Sequence, residues 1–210
     1  KNSVPKNKRL SIIARFGVGY DSVDLNACNS NSIALIITPD GIRRPVAVSV
    51  IAFILSLTGN LLIKDKITRN GEWNKRSEYM GKGIVNKTLG FLGFGNIGAE
   101  VVKLAKVFDM KFIAYDPYID KSKAENLGVK IVSLNEVFSH SDILSINCAL
   151  TKETKHIVNE ENLSLMKKNS YLINTSRGPV VDQSALYDVL SSKKIAGAGL
   201  DVFEKEPPDL

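Results

Sequence analysis

From Thr88 to Leu200 the chain repeats one pattern: a short apolar run, a turn, then a stretch with helical spacing of its apolar residues. Apolar runs at 89–92, 111–115, 129–132, 143–146, 171–173 and 196–200 alternate with helical segments at 96–108, 121–127, 134–139, 160–166 and 182–190. A strand that returns to a sheet through a helix pairs parallel with its neighbour and is covered on both faces. The pattern therefore predicts an α/β chain built on a six-stranded, doubly wound parallel sheet.

Into the first of these turns the sequence places Gly93-Phe94-Gly95-Asn96-Ile97-Gly98, after a predicted strand and at the start of a predicted helix. Gly93 permits the tight turn, Gly95 lets a pyrophosphate approach the backbone, and Gly98 lets the helix lie close to the strand. The free N–H groups of the first helical turn then face the phosphates. Glycines alone also punctuate loops that bind nothing, but Asp116 ends the next strand, 18 residues after Gly98. A carboxylate there accepts the two ribose hydroxyls of an adenosine and repels a 2′-phosphate, which favours NAD over NADP. The competing reading is an Asp that caps the turn at Asp116-Pro117. Together these features make the sheet a Rossmann-type nucleotide domain.

Two further clusters follow strands at the same sheet edge, where ligands of open parallel sheets bind. They are Asn174-Thr175-Ser176-Arg177-Gly178 and Asp201-Val202-Phe203-Glu204-Lys205-Glu206-Pro207. Arg177 offers a planar, permanently charged fork for a carboxylate. The acidic groups of the second cluster suit orientation of a carboxamide and modulation of a catalytic base.

Ahead of residue 88 the reading is a strand at 10–16 closed by Gly17-Val18-Gly19, and a short helix at 21–29 with Asp21 as its acidic N-cap. A strand at 33–37 follows, then a long apolar helix at 45–69 and an irregular connection at 70–86. Pro45 to Ile63 is 19 residues without a charge, long enough to cross a bilayer. Its Ser, Thr, Gly and Asn content, with Pro at the first helical position, fits a buried helix better. No membrane span is expected.

Composition limits the remaining classes. Hydrophobic residues are 44% and charged residues 24%, which excludes a disordered tail or a disulfide-rich scaffold. Lys and Arg number 28 against 22 Asp and Glu, a net +6. This suits an anionic ligand or simply a Lys-rich surface, and without a basic run or stripe no nucleic-acid partner is expected. Cys28 and Cys148 form no CxxC and no framework, so a reducing, cytoplasmic setting is expected, and no metal cluster is read.

Four stretches carry a resemblance. They are Arg15-Phe16-Gly17-Val18-Gly19-Tyr20-Asp21, then Thr38-Pro39-Asp40-Gly41 with Arg43-Arg44-Pro45-Val46-Ala47, Gly90 to Gly98, and Asn174 to Asp201. In combination they resemble the D-isomer-specific 2-hydroxyacid dehydrogenases. The resemblance implies two domains: residues 1–38 as the tail of a flavodoxin-like substrate domain, and 39–210 as an NAD-binding domain truncated at its C-terminal end. It implies NAD as cofactor, a small anionic 2-hydroxy or 2-oxo acid as substrate, and a homodimer through the 45–69 helix. It also implies that Gly93, Gly95, Asn96, Ile97, Gly98, Asp116, Cys148, Thr175, Ser176, Arg177 and Asp201 contact cofactor. The Val18 and Gly19 amides, with Arg177, would hold the substrate, and Arg177 would polarise its carbonyl. Glu206 would pair with a catalytic histidine beyond Leu210.

Without an initiator Met, and ending before that histidine, the chain is expected to be a fragment that does not turn over. His140, expected to open a strand, and His156, in a polar segment, read as surface or turn residues. Trp73 reads as a packing anchor, Arg43 and Arg44 as a solvated helix start or a lure for anionic acids, and Asp182 as a helix cap. Relatives that act as NAD-sensing scaffolds, resembling the C-terminal-binding-protein corepressors, are the alternative. A formate dehydrogenase-like relative is a third.

Overall fold

The computed structural model describes residues 9–208. The chain divides into two compact units, Lys1–Pro45 and Val46–Leu210.

In the first unit β1 (Ile12–Arg15) pairs parallel with β2 (Ala34–Ile37), from Ile12 opposite Ala34 to Arg15 opposite Ile37. Between them lies α1 (Leu25–Ser30), whose N-cap is Asp24 and not the expected Asp21. The Ala27 amide donates to Asp24 Oδ1 at 3.0 Å, satisfying one of the orphan donors of the first turn. The helix starts later than its sequence suggests because Val23 N is taken by the Tyr20 carbonyl, which makes a turn of residues 20–23. Cys28 and Ile33 form the buried centre of this unit.

Helix α2 (Pro39–Thr58) and helix α3 (Leu61–Arg69) replace the single helix expected over 45–69. Pro39 takes the favourable first-turn position, while Pro45 falls inside the helix. The break follows from Asn60, whose φ of 53° is left-handed, and from Lys82 N, which donates to the Thr58 carbonyl at 2.7 Å. By length and composition α2 is able to cross a membrane. Here its Ala47, Val50 and Ile54 are packed into the core of the second unit. The connection at 70–86 holds a 3-10 stretch, Trp73–Tyr79. Trp73 is 60% exposed, with the Arg76 guanidinium 5.3 Å from its ring, so it is not the expected packing anchor.

The second unit is built on six parallel strands: β3 (Thr88–Leu92), β4 (Lys111–Tyr115), β5 (Val129–Ile131), β6 (Ile143–Ile146), β7 (Tyr171–Asn174) and β8 (Gly197–Leu200). Their order is β5-β4-β3-β6-β7-β8. The order reverses between β3 and β6, as in a doubly wound Rossmann-type sheet. Strands β6 and β7 are buried at every position, which is why they read as unbroken apolar runs and not as alternations.

One face carries α2, α4 (Asn96–Ala105) and α5 (Lys121–Asn126), with Phe91, Phe94 and Val101 at its centre. The other carries α6 (Leu134–His140), α7 (Glu160–Ser164) and α8 (Gln183–Ser191), around Phe138, Leu144 and Leu172. Local chemistry fixes the helix starts. Ser133 and Glu136 form a reciprocal capping box at α6. Asp182 Oδ1 accepts from Ser184 N and Ala185 N at α8. His140 ends α6 and does not open a strand.

Candidate functional site

All six strands of the second unit point their C-terminal ends to one edge, so the loops after β3, β4, β6, β7 and β8 line it together. At the switch point the loop after β3 meets the loop after β6. Gly93 has φ +84°, and a Cβ there would lie 2.6 Å from Cys148 N, so only glycine allows this turn and this approach. Gly93 N donates to the Tyr115 carbonyl at 2.8 Å, and Asn147 N donates to the Leu92 carbonyl at 2.8 Å.

Gly95 is the N-cap of α4 and offers no side chain to its first-turn amides. A Cβ on Gly95 would meet nothing within 4 Å, so the space before those amides is open. Asn96 and Ile97 begin the helix. Gly98 lies where a Cβ would come 3.0 Å from Phe94 Cδ2, which brings the helix onto the sheet. An open cradle of helix N–H groups over a glycine turn fits a dinucleotide pyrophosphate.

Asp116 directly follows β4 beside this turn. Its Oδ2 accepts from Phe94 N at 2.8 Å and its Oδ1 from Tyr118 N at 2.9 Å. The carboxylate thus braces the glycine loop and caps its own turn, and each oxygen retains a lone pair for a ligand hydroxyl. Sequence reasoning offered the cap and the ribose contact as competing roles, while the bond to Phe94, 22 residues away, was not legible. Cys148 is half-buried, and desolvation, with the Asp116 charge added, pushes its thiol up to about 11. It is a neutral packing group at neutral pH, not a nucleophile.

The loops after β7 and β8 form a second cluster. Asn174 is buried; its Oδ1 accepts from Ser176 N at 3.0 Å and Ser176 Oγ at 2.9 Å, and its Nδ2 donates to the Arg177 carbonyl at 3.0 Å. That frame sets the backbone of Thr175, Ser176 and Arg177. The Arg177 guanidinium donates from Nη1 to the Ser176 carbonyl at 2.7 Å. Asp201 is exposed, and its amide donates to the Asn174 carbonyl at 3.0 Å. Glu206 is also exposed, with Oε1 accepting from Phe203 N at 3.0 Å, so its carboxylate closes its own loop. A Cβ on Gly178 would sit 1.8 Å from the Phe203 carbonyl oxygen, so the two loops touch through a glycine.

His156 lies at this edge too. Its Nε2 pairs with Glu204 Oε1. The sequence reads His156 as a surface or turn residue; its φ of 52° is that of a turn, but its partner lies 48 residues on and left no local signal.

In the first unit, Gly17 N donates to Thr38 Oγ1 and Thr38 N to the Gly17 carbonyl, both at 3.0 Å, which shapes the 17–19 loop. Val18 is 40% exposed and Gly19 half-buried. Beside them Arg15 donates from Nη1 to Ser22 Oγ at 3.0 Å, while its buried Nε has no partner among the described residues. That orphaned donor is a feature that sequence reasoning passed over. No group of three or more His, Cys, Asp or Glu suited to a metal occurs among the described residues.

Comparison with known proteins agrees with this geometry. Residues 51–210 match the family model described as D-isomer specific 2-hydroxyacid dehydrogenase, NAD binding domain. The chain is 39% identical over 209 residues to a D-3-phosphoglycerate dehydrogenase of Methanocaldococcus jannaschii, covering 99% of this chain and 40% of that protein. It is 40% identical over 206 residues to a hydroxypyruvate reductase of Thermotoga maritima, covering 98% of this chain and 66% of that one. Among solved structures, a D-lactate dehydrogenase from Aquifex aeolicus complexed with NAD and lactic acid superposes with a TM-score of 0.87 at 37% identity. That match covers 94% of this chain and 59% of that one. The chain spans 40% to 66% of the length of these two sequence relatives.

Proposed function

The chain belongs to the D-isomer-specific 2-hydroxyacid dehydrogenases and matches their NAD-binding domain, and from that premise we propose that the whole protein interconverts a small D-2-hydroxy acid and its 2-oxo acid with NAD. The observation that carries the reading is the pairing, at one sheet edge, of an open glycine–helix cradle with the framed Arg177.

When bound, the nicotinamide cofactor would supply the two-electron chemistry, a hydride given to the 2-oxo carbon by the reduced form or taken from the 2-hydroxy carbon by the oxidised form. Amides at the start of α4 take the pyrophosphate, with Asn96 and Ile97 flanking them, and Asp116 takes the adenosine ribose. Cys148, Thr175, Ser176 and Asp201 line the nicotinamide side. Arg177 holds the substrate carboxylate in its fork and polarises the carbonyl that becomes the hydroxyl. In the first unit the Val18 and Gly19 amides are the proposed ligands of a substrate carboxylate, with the Arg15 charge beside their loop. Glu206 pairs with the histidine that moves the hydroxyl proton, once its carboxylate leaves Phe203 N.

In this reading residues 1–38 are the tail of a substrate domain and 39–210 belong to the nucleotide domain. Exposed Val48, Leu55, Leu61 and Leu62 on α2 and α3 support a homodimer through that helical pair. The two free cysteines support a cytoplasmic setting.

The test is NADH oxidation by the full-length protein with glyoxylate, hydroxypyruvate and pyruvate, and NAD reduction with D-3-phosphoglycerate. Wild type is expected to turn over at least one of them. Arg177→Lys, which keeps the charge but loses the fork, is expected to lower kcat/KM by about a hundredfold or more. Turnover unchanged in Arg177→Lys, or absent in wild type with all four, overturns the reading.

A further inference from the structure

We propose that His156 and Glu204 are a positioning pair that sets the loop carrying Asp201 and Glu206 for the reaction. The proposal rests on the function proposed above, which gives neither residue a role.

Glu204 stands midway between two acidic residues that the reaction needs, and it is the most tied of the three. One oxygen pairs with His156 Nε2. The other accepts from Gln183 N at 3.3 Å, and Gln183 Oε1 accepts in return from Glu204 N at 3.3 Å. Just before it, the Phe203 carbonyl rests where a side chain on Gly178 would be. All three are exposed, but Glu206 makes one side-chain bond, to Phe203 N within its own loop, and Asp201 is held through its amide. The loop is therefore fixed at its middle, and the groups on either side of that point inherit their placement from it.

His156 is itself held. Its amide donates to the Pro179 carbonyl at 2.9 Å, and two residues on Val158 bridges in parallel to Val181. It belongs to the segment that leaves β6 through Cys148. The pair thus links the loop after β6 to the loop after β8 across the turn that follows Arg177. A surface ion pair of no consequence does not need reciprocal bonds to Gln183 or a left-handed histidine backbone. The chemistry depends on such placement, since misplacing a group by about 1 Å costs as much as a hundredfold in rate.

The experiment uses the full-length protein, with His156→Ala, Glu204→Ala, the double variant, and the conservative His156→Gln and Glu204→Gln. Each alanine variant is expected to lose kcat about tenfold to a hundredfold. KM for the 2-oxo acid should stay within about twofold, because Arg177 is untouched. The double variant should be no worse than the singles, since both remove one link. The glutamine variants should recover most of kcat by keeping a hydrogen bond across the gap. Rates are referred to active sites counted by NADH titration, so that misfolded protein is not scored.

Unchanged kcat in both single variants, or losses that multiply in the double, overturns the proposal. Should wild type turn over none of the four substrates, the function proposed above fails instead, and amide hydrogen exchange decides the pair. Faster exchange at 203–206 in both alanine variants supports it, and exchange equal to wild type overturns it.

Discussion

The two sheets of this chain solve the same pairing problem with very different resources. In the six-stranded sheet, β6 and β7 are buried at every position and helices cover both faces. In the two-stranded sheet, β1 and β2 alternate exposed and half-buried positions along their whole length. Both are parallel, and parallel pairing alone is a weak source of stability. The large sheet draws its stability from the apolar side chains it removes from water, at about 1.5–3 kcal/mol for each fully buried Leu, Ile or Phe. The small one has Cys28 and Ile33 as its buried apolar residues. Precise loops need a rigid base, and the better-buried sheet is the one that presents the glycine turn and the Arg177 frame.

Four substitutions probe that contrast, in falling order of effect. Phe91→Ala removes a fully buried ring that packs edge-on against Phe94, with centroids 5.4 Å apart, and should cost about 3–5 kcal/mol in urea unfolding of the second unit. A cost under about 1 kcal/mol would show that the large sheet is not held by its core. Gly178→Ala forces a methyl group onto the Phe203 carbonyl. An overpacking cost of about 1–3 kcal/mol is expected, with loss of turnover in the full-length protein. Normal kcat in this variant would mean that the loop contact is incidental. In the small unit, Asp24→Ala deletes the cap of α1 and should cost about 0.5–2 kcal/mol, read as faster amide exchange across 25–33. Ile12→Ala, at a 52% exposed position, should change stability by no more than about 0.5 kcal/mol. A larger loss there would show that the exposed face of β1 is covered in the whole protein.

The legibility of the chain follows the same divide. Every strand of the large sheet was readable, because buried parallel strands are apolar runs and the turns between them carry Gly, Asp and Pro. Helix limits were readable where the signal is local, as with Asp182 before α8. They failed where the deciding bond is distant. The break between α2 and α3 depends on Lys82 reaching back to the Thr58 carbonyl, and the choice of Asp24 over Asp21 depends on a turn at Tyr20. The glycine motif announced itself through spacing. The partners of Asp116 and Glu204 did not, since hydrogen bonds across 22 or 48 residues have no period to detect.

Asp116 carries one more consequence, for redesign and for drift. The carboxylate that would choose between cofactors also pins Phe94 N and so the shape of the phosphate turn. Selecting for a phosphorylated nucleotide by exchanging this residue removes a strut along with a filter. An Asp116→Ala variant should therefore narrow the NADH-over-NADPH preference while weakening both cofactors. Variants that truly switch should need a second change that gives Phe94 N a new acceptor. If Asp116 takes the ribose as proposed, specificity and architecture share one carboxylate, and a lineage would have to repair the second when it adjusts the first.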